Sequence, residues 1–420
     1  MMTEKTDWRR LYWWSFGVRF LVGLAGWMLT QYTAVPFLED ARYYEERASE
    51  VAQDWQAGES SPWLASAVTE GHRPWLIVIL LAGCYFLAGG ARVTPLALFI
   101  YCLITAWAPV LTYRIGLQLG VPRRGAKLAG WLVALSPAFA FWAGALYKEG
   151  LILVVLNLAV YHLLVLQERW RPWSLLILLA CIPVMFALRF YLAILLGLVF
   201  VLGLLLGRSR NQKAGPDVLI RQVGLAACFI VALIAVGFTD RAGALLPADL
   251  EEGLATMERS RHDLSGAPSG YLQDQNISTP EQAATFFPLG LGYFLTVPWP
   301  WQIGSFRQNL AIPETAMWIL LYPLVLLGMR EGLRRNFQGT LLILVTTLAI
   351  ASFYALWIAN IGTAYRLRVQ VWVLWAVFAG WGWSVLQGWQ PAAGKQGGAA
   401  AGLRRGSGTQ QLTLPVRQEV

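Results

Sequence analysis

Eleven apolar runs separated by polar segments constrain this chain more than any other feature. A helix needs about 20 apolar residues to cross the hydrocarbon core of a bilayer. The chain is 57% hydrophobic and only 14% charged, and many of its 21 Trp residues lie at the ends of runs, where interfacial belts form. The pattern predicts an all-α polytopic transmembrane bundle of about 10–12 helices rather than a set of soluble domains. The runs are 11–31, 75–91, 95–113, 127–146, 150–166, 174–188, 190–207, 222–238, 315–329, 339–358 and 367–387.

Basic clusters between the runs predict the orientation, because short cytoplasmic loops are rich in Lys and Arg. We interpret residues 1–10 as a cytoplasmic N-terminus, 11–387 as the membrane domain, and 388–420 as a disordered cytoplasmic tail. This arrangement places segments 32–73 and 239–314 outside as the two long outer loops. The clusters used are Arg9-Arg10, Arg114 with Arg123, Arg124 and Lys127, Arg169 with Arg171, Arg208 with Arg210 and Lys213, and Arg330 with Arg334 and Arg335.

The region 74–113 does not fit this alternation directly, because it holds two apolar runs where an odd number of crossings is required. We expect run 75–91 to be embedded without fully crossing. The alternative is that both runs cross and that the basic loop 114–127 lies outside. The apolar segment 286–301 is broken by Pro and Gly and is interpreted as interfacial or re-entrant.

An acidic and aromatic stretch, EDARYY at 39–44, follows the first apolar run. Carboxylates at the outer end of a membrane helix meet lipid-borne substrates and water together, and charge at that position is by default functional. The alternative is that Glu39 and Asp40 only cap a helix. Tyr44, Ala48 and Val51 recur at helical spacing, which predicts an amphipathic helix on the membrane surface.

The cysteines, the histidines and the net charge argue against a disulfide framework, a metal site and nucleic-acid binding. The four Cys residues fall inside apolar runs and the three His residues are far apart, so neither a disulfide framework nor a metal-type spacing is present. The net charge of +9 comes from clusters between apolar runs, which is a topology signal and does not predict nucleic-acid binding.

A second class of basic residue lies on the predicted outer side, against the topological bias. These cations require an anionic partner, which is a carboxylate, a lipid head group or a bound phosphate. Arginine suits phosphate because its planar fork can bind two oxygens at once. The residues proposed as phosphate ligands are Lys148, Arg189, Arg366 and Arg368; Glu149 is the alternative partner of Lys148.

The acidic stretch and the outer cations together supply the minimum for glycosyl transfer. A carboxylate removes the proton from an acceptor hydroxyl, and cations stabilise a departing phosphate. If the donor is a sugar linked to polyprenyl phosphate, the phosphate leaves as a stable anion and no general acid is obligatory. In-line attack on such a donor inverts the anomeric carbon.

This arrangement resembles the GT-C superfamily of membrane glycosyltransferases, which includes protein O-mannosyltransferases and lipid A aminoarabinose transferases. The resemblance rests on Asp40 in LEDARYYEERA, on VPRRGAKLAGWLVALSPAFAFWAGALYKEG at 121–150, and on the overall plan of helices and outer loops. The segment NIGTAYRLRVQ at 360–370 also resembles a late-helix motif of polysaccharide-cluster relatives.

The resemblance implies Asp40 as the base, with Glu39 as the less favoured substitute, and a polyprenyl-phosphate sugar as donor. The expected acceptor is a hydroxyl of a glycan, lipid or protein, and the expected location is a bacterial inner (plasma) membrane, with the site on the outer or periplasmic face. No cofactor is required, and a divalent metal stays open because Lys148-Glu149 stands where relatives have two acids. Residues proposed to contact donor or acceptor are Arg42, Tyr44, Glu149, Arg259, Arg261 and His262.

Two other functions fit the sequence. An O-antigen or exopolysaccharide polymerase or ligase would use the late outer loop, with Arg259, Arg261 and His262 as its site. A lipid or glycan transporter is the non-enzymatic alternative, although few apolar runs carry an ionisable residue and no inverted repeat is visible.

Overall fold

The computed structural model describes residues 2–32, 39–70, 73–169, 171–206, 249–302 and 306–388, with isolated positions between 223 and 234. Within those ranges the chain is all-helical, and the only β-type pairing is one isolated antiparallel bridge between Gly270 and Asn360. Most of the predicted run 222–238, the start of the second predicted outer loop (239–248) and the tail from 389 lie outside the described residues.

Sixteen helices have defined bounds in the described ranges. The first eight are α1 (Met2–Tyr32), α2 (Glu39–Gln56), α3 (Pro62–Glu70), α4 (Trp75–Leu87), α5 (Thr94–Thr105), α6 (Trp107–Leu119), α7 (Arg123–Leu135) and α8 (Pro137–Gly144). The others are α9 (Lys148–Glu168), α10 (Pro172–Leu188), α11 (Phe190–Leu206), α12 (Leu250–Ser265), α13 (Pro280–Thr296), α14 (Phe306–Arg335), α15 (Phe337–Trp357) and α16 (Ile361–Leu386).

Five helical segments of the described chain are long and apolar enough to cross a membrane: Thr94–Leu119, Lys148–Glu168, Ala311–Arg335, Phe337–Trp357 and Ile361–Leu386. A sixth results if α7 and α8, bent by 57° at their junction, are counted as one span. The all-α expectation is therefore confirmed, together with several apolar helices of membrane length. Other predicted runs form shorter helices, and α1 has the length but is not among the five, since Trp, Tyr, Gly and Arg19 interrupt its aliphatic residues.

The predicted run 75–91 forms the 13-residue helix α4. At 1.5 Å per residue this helix spans about 20 Å, less than the roughly 30 Å hydrocarbon core. The following run joins α5 and α6 into one segment of 26 residues. This geometry is the one expected if α4 is embedded without a full crossing and α5–α6 crosses. Helix α13, on the segment interpreted as re-entrant, is a regular 17-residue helix that contains Pro288.

The long helices connect two chemically different ends of the bundle. At one end, Lys127 Nζ lies 3.0 Å from Asp7 Oδ1, and Asn336 Nδ2 donates to the carbonyl of Leu119. The opposite end holds the start of α2, the α8–α9 turn, the α10–α11 junction and the start of α16. The basic end carries the predicted cytoplasmic residues Arg123, Arg124, Lys127, Arg330, Arg334 and Arg335.

Helix α2 forms as the spacing of its apolar residues predicts. Its apolar face, which includes Tyr44, Ala48 and Val51, is buried and packs mainly against α4. The prediction that this face rests on the membrane is therefore not needed to explain the helix, because protein covers most of it.

A buried carboxylate fixes α2 to α4 and to the start of α5. Glu45 accepts hydrogen bonds from the Tyr85 hydroxyl at 2.8 Å and from the Thr94 hydroxyl, and Arg92 Nη2 lies 3.1 Å away. Tyr85 lies in α4, Arg92 lies in the loop that follows, and Thr94 begins α5. The Glu45 side chain therefore ties α2 to all three.

Replacing Glu45 with Ala is expected to lower the free energy of unfolding by about 1–3 kcal/mol, since the buried Tyr85 hydroxyl loses its acceptor. Thermal unfolding of the purified protein in detergent measures the change. Glu46→Ala is the matched control, because Glu46 forms only an exposed pair with Arg42 and should have little effect. Equal shifts for the two variants would contradict the anchoring role.

Helices α7 and α16 touch through two glycines. A Cβ atom added at Gly380 would lie 2.2 Å from the carbonyl oxygen of Gly125, closer than real Cβ atoms approach. Close backbone contact through small residues is a common way for membrane helices to pack. This contact holds α16, which carries part of the site described below, against the helix that leads to the α8–α9 turn.

Gly380→Ala is expected to destabilise the protein by about 1–3 kcal/mol, because the backbones must separate to admit a methyl group. The midpoint of thermal unfolding in detergent checks this. Gly17→Ala is the control: nothing lies within 4 Å of its added Cβ, so the better helix propensity of Ala should leave stability unchanged or slightly raised. A neutral Gly380→Ala variant would show that the two helices are not in tight contact.

Candidate functional site

A continuous row of opposite charges lies at the end of the bundle away from the basic clusters. Arg366 pairs with Asp40 through Nη1, and its Nε lies 3.3 Å from Glu149 Oε1. The same Glu149 oxygen accepts a hydrogen bond of 2.8 Å from Arg189 Nη2. Four side chains that are separated by up to 326 positions therefore form one electrostatic unit.

The α8–α9 turn positions Glu149 and Lys148. Leu146 has φ = 58°, a left-handed conformation that is costly for a branched side chain. The turn leads through Tyr147 into α9, whose first residue is Lys148 and whose first turn contains Glu149. A carboxylate in the first turn of a helix is stabilised by the free backbone N–H groups there. The turn therefore places one cation and one anion at the N-terminal end of α9.

Arg189 reaches the site from the junction of α10 and α11. Its backbone is extended, with φ = −163° and ψ = 94°, so the chain breaks helix for one residue and turns the side chain inward. Besides Glu149, the guanidinium donates from Nη1 to the Tyr354 hydroxyl at 3.1 Å. The side chain is almost wholly buried.

One end of the row is open to solvent and the other is buried. The Asp40 side chain is 42% exposed, Arg366 is 22% exposed, and Glu149 is 1% exposed. The open end of the site is therefore the Asp40–Arg366 pair. Lys148 lies within electrostatic range of both of these residues and of Arg189.

Tyr44 of α2 is buried beside this row. Burial, followed by the negative charges of Glu149 and Asp40, raises the pKa of Tyr44 above its usual value. The phenol is therefore neutral at physiological pH and offers a hydrogen-bond donor close to both carboxylates.

Six residues chosen from the sequence come together here: Asp40, Tyr44, Lys148, Glu149, Arg189 and Arg366. Arg368, also chosen as a phosphate ligand, does not join them. It is fully buried, donates from Nη2 to the carbonyl of Val297, and lies over the Trp372 ring at 4.9 Å. The physical reason is helix geometry, since two residues along a helix turn a side chain by about 200°.

The remaining candidates lie apart from the row. Arg42 forms an exposed pair with Glu46, and Glu39 is exposed at the start of α2. In α12, Arg261 is buried and donates to the carbonyls of Gln275 and Leu272, which is a structural role within the segment predicted as the second outer loop. The other two residues of that candidate set, Arg259 and His262, are exposed on α12.

Sequence reasoning missed the polar residues behind the row. The Tyr354 hydroxyl donates to Gln370 Oε1 at 3.0 Å, which extends the network from Arg189 into α16. Gln370 follows Arg366 by four positions, so both lie on one face of α16. That spacing was visible in the sequence, whereas the position of Tyr354 inside an apolar run gave no signal.

Glu314 of α14 supports the site from the other side. Its Oε2 accepts hydrogen bonds from the backbone N–H of Ala138, in the first turn of α8, and from the Tyr365 hydroxyl, both at 2.6 Å. Tyr365 precedes Arg366, and α8 carries Trp142, whose ring centroid lies 6.0 Å from the Arg366 guanidinium carbon. The carboxylate therefore joins α8, α14 and α16 directly behind the open end.

Within the described residues, no group of three or more His, Cys, Asp or Glu side chains is placed to hold a metal ion. Cys84, Cys102 and Cys181 are free and buried, whereas Cys228 lies outside the described residues. Comparison with models of known protein families gave no match, and comparison with curated proteins gave none either.

Proposed function

We propose that this protein is a GT-C-like integral membrane glycosyltransferase. It moves a sugar from a polyprenyl-phosphate donor to a hydroxyl of a glycan, lipid or protein on the non-cytoplasmic face. Asp40 acts as the base, and Lys148 and Arg366 bind the phosphate. Arg189 holds the carboxylate of Glu149 in place. The observation that carries the proposal is the meeting of Asp40 and Arg366 at the exposed end of a buried charge row.

The charge balance of the row supports a singly charged ligand. Lys148, Arg189 and Arg366 provide three positive charges, and Asp40 and Glu149 provide two negative charges. One positive charge remains when all five are ionised, which requires that Lys148 keep its proton beside Arg189 and Arg366. A sugar esterified to polyprenyl phosphate is a phosphodiester with one negative charge, so its binding neutralises the site.

The chemistry follows from this placement. The acceptor oxygen forms a bond to the anomeric carbon while the bond from that carbon to the phosphate oxygen breaks. The acceptor proton passes to Asp40, and the bonding electrons leave with polyprenyl phosphate, whose growing charge Arg366 and Lys148 stabilise. Attack opposite the departing phosphate inverts the anomeric carbon.

The position of the row supports the non-cytoplasmic side. It lies at the opposite end of α16 and of α5–α6 from the residues rich in Arg and Lys, which mark the cytoplasmic end by the positive-inside rule. On this proposal the membrane bundle has about 10–12 helices when the shorter apolar helices are counted with the long ones. The row of charges is then reached from the outer leaflet, where polyprenyl-linked sugars are presented.

A direct assay tests the proposal. Purified protein in liposomes is incubated with farnesyl phosphate carrying radiolabelled mannose, glucose, galactose or aminoarabinose, together with membrane lipids and glycans as acceptors. Release of farnesyl phosphate with labelled product is the expected result, at a rate well above liposomes without protein. Binding of the donors without release over many hours would contradict the transferase and favour a carrier that only moves such lipids.

A further inference from the structure

Behind the exposed pair lies a second set of polar groups, which we call the inner row: Glu149, Arg189, Tyr354 and Gln370. Arg189 donates to both Glu149 and Tyr354, and Tyr354 donates onward to Gln370. These side chains come from α9, the α10–α11 junction, α15 and α16. Four separate parts of the bundle thus converge on one buried polar patch within an otherwise apolar core.

Each end of the inner row keeps unused hydrogen-bonding capacity. Glu149 Oε2, Arg189 Nε and Gln370 Nε2 are buried and have no hydrogen-bond partner. Buried polar atoms in native proteins are nearly always satisfied by the protein or by water, so these three atoms are open to a partner from outside the chain. The cost of leaving them unpaired is about 1–3 kcal/mol each.

The types of these atoms identify the chemistry of the missing partner. Arg189 Nε and Gln370 Nε2 are donors, whereas Glu149 Oε2 is an acceptor. A phosphate offers acceptors only and would be repelled by the Glu149 carboxylate. A group of neighbouring hydroxyls offers both donors and acceptors, so it can pair with both kinds of atom.

We propose that the inner row recognises hydroxyl groups of the donor sugar, while the phosphate stays at the outer pair of Arg366 and Lys148. This inference rests on the proposed transferase function and deepens it. The sugar enters past the Asp40–Arg366 pair, the exposed end of the site. Its hydroxyls then reach Glu149 and Gln370, and its anomeric carbon lies between the phosphate and Asp40.

The experiment compares two ligands that differ only in the sugar. Affinities are measured for farnesyl phosphate and for the farnesyl phosphosugars, using Gln370→Leu and Arg366→Ala. Gln370→Leu is expected to weaken the bound sugar ester about ten-fold, the worth of one hydrogen bond, and to change farnesyl phosphate less than two-fold. Arg366→Ala is expected to weaken both ligands.

Deoxy sugars locate the contact. The ester whose missing hydroxyl faces Gln370 should bind wild type about ten-fold more weakly than the parent sugar, and Gln370→Leu should no longer distinguish the two. Asn157→Leu is the matched control, since Asn157 is a buried amide of α9 that bonds Thr112 and the Ala108 carbonyl, outside the row. It controls for the stability cost of losing a buried amide and should leave both affinities unchanged.

Three outcomes overturn the inference. If Gln370→Leu weakens both ligands alike, or neither, the inner row holds water and does not read the sugar. If every deoxy sugar binds Gln370→Leu and wild type with the same relative loss, Gln370 contacts no hydroxyl. If wild type binds no phosphosugar at all, the proposed function fails together with this inference. If wild type binds phosphosugars and only the selectivity of Gln370→Leu is missing, the inner-row inference alone fails.

Discussion

Asp40→Asn is expected to lower the rate of sugar transfer about a thousand-fold, within the usual contribution of a single acid–base group. The amide keeps the shape of the carboxylate and still accepts a hydrogen bond from Arg366, but it cannot take a proton from the acceptor. Donor affinity should change little, because Arg366 and Lys148 remain. The measurement is turnover of the active farnesyl phosphosugar in liposomes, with donor binding measured separately.

Glu50→Gln on the same helix is the matched control for Asp40→Asn. Glu50 forms only a surface pair with Arg47, so the same carboxylate-to-amide change there should leave transfer at the wild-type rate. A second comparison, Glu39→Gln, distinguishes the two neighbouring acids. Full activity of Asp40→Asn with loss in Glu39→Gln would assign the base to Glu39 and reject the mechanism proposed for Asp40.

Arg189→Met is expected to reduce the free energy of unfolding by about 3–5 kcal/mol, because breaking a buried ion pair leaves a charge without its partner. Glu149 is 1% exposed and would keep only the longer contact with Arg366. Arg47→Met, which breaks the exposed pair with Glu50, should cost less than about 1 kcal/mol. Thermal or denaturant unfolding in detergent measures both.

A double replacement separates the lost ion pair from lost packing. Combining Glu149→Met with Arg189→Met removes the buried anion as well, so the double variant should be more stable than Arg189→Met alone. A double variant that is less stable by the sum of the two single effects would show that the two side chains are not coupled. Glu149 and Arg189 would then not stabilise the fold as an ion pair.

The helical class and many helix positions were predictable because apolar runs of helical length leave a membrane chain few alternatives. The number of long spans was less predictable, since Pro137 bends one run by 57° and α4 ends after 13 residues. Hydropathy reports how apolar a run is and does not report how far a helix continues. The face of α2 was predicted correctly, but its cover is α4, a packing choice that the periodicity of α2 does not contain.

The candidate site was also predictable only in part. Asp40, Lys148, Arg189 and Arg366 were selected because charge at the outer ends of apolar runs is costly, and the structure brings them together. The same reasoning selected Arg368, which faces another way because it lies two positions further along the helix.

By itself the sequence determined that this protein is built from apolar helices, several of them of membrane length, and that Arg and Lys are concentrated toward one end of the bundle. Only the tertiary structure decided which charges meet. Pairing Asp40 with Arg366, and Glu149 with Arg189, depends on how α2, α9 and α16 pack. Contacts between residues hundreds of positions apart follow from shape and packing, and no local pattern of residues encodes them.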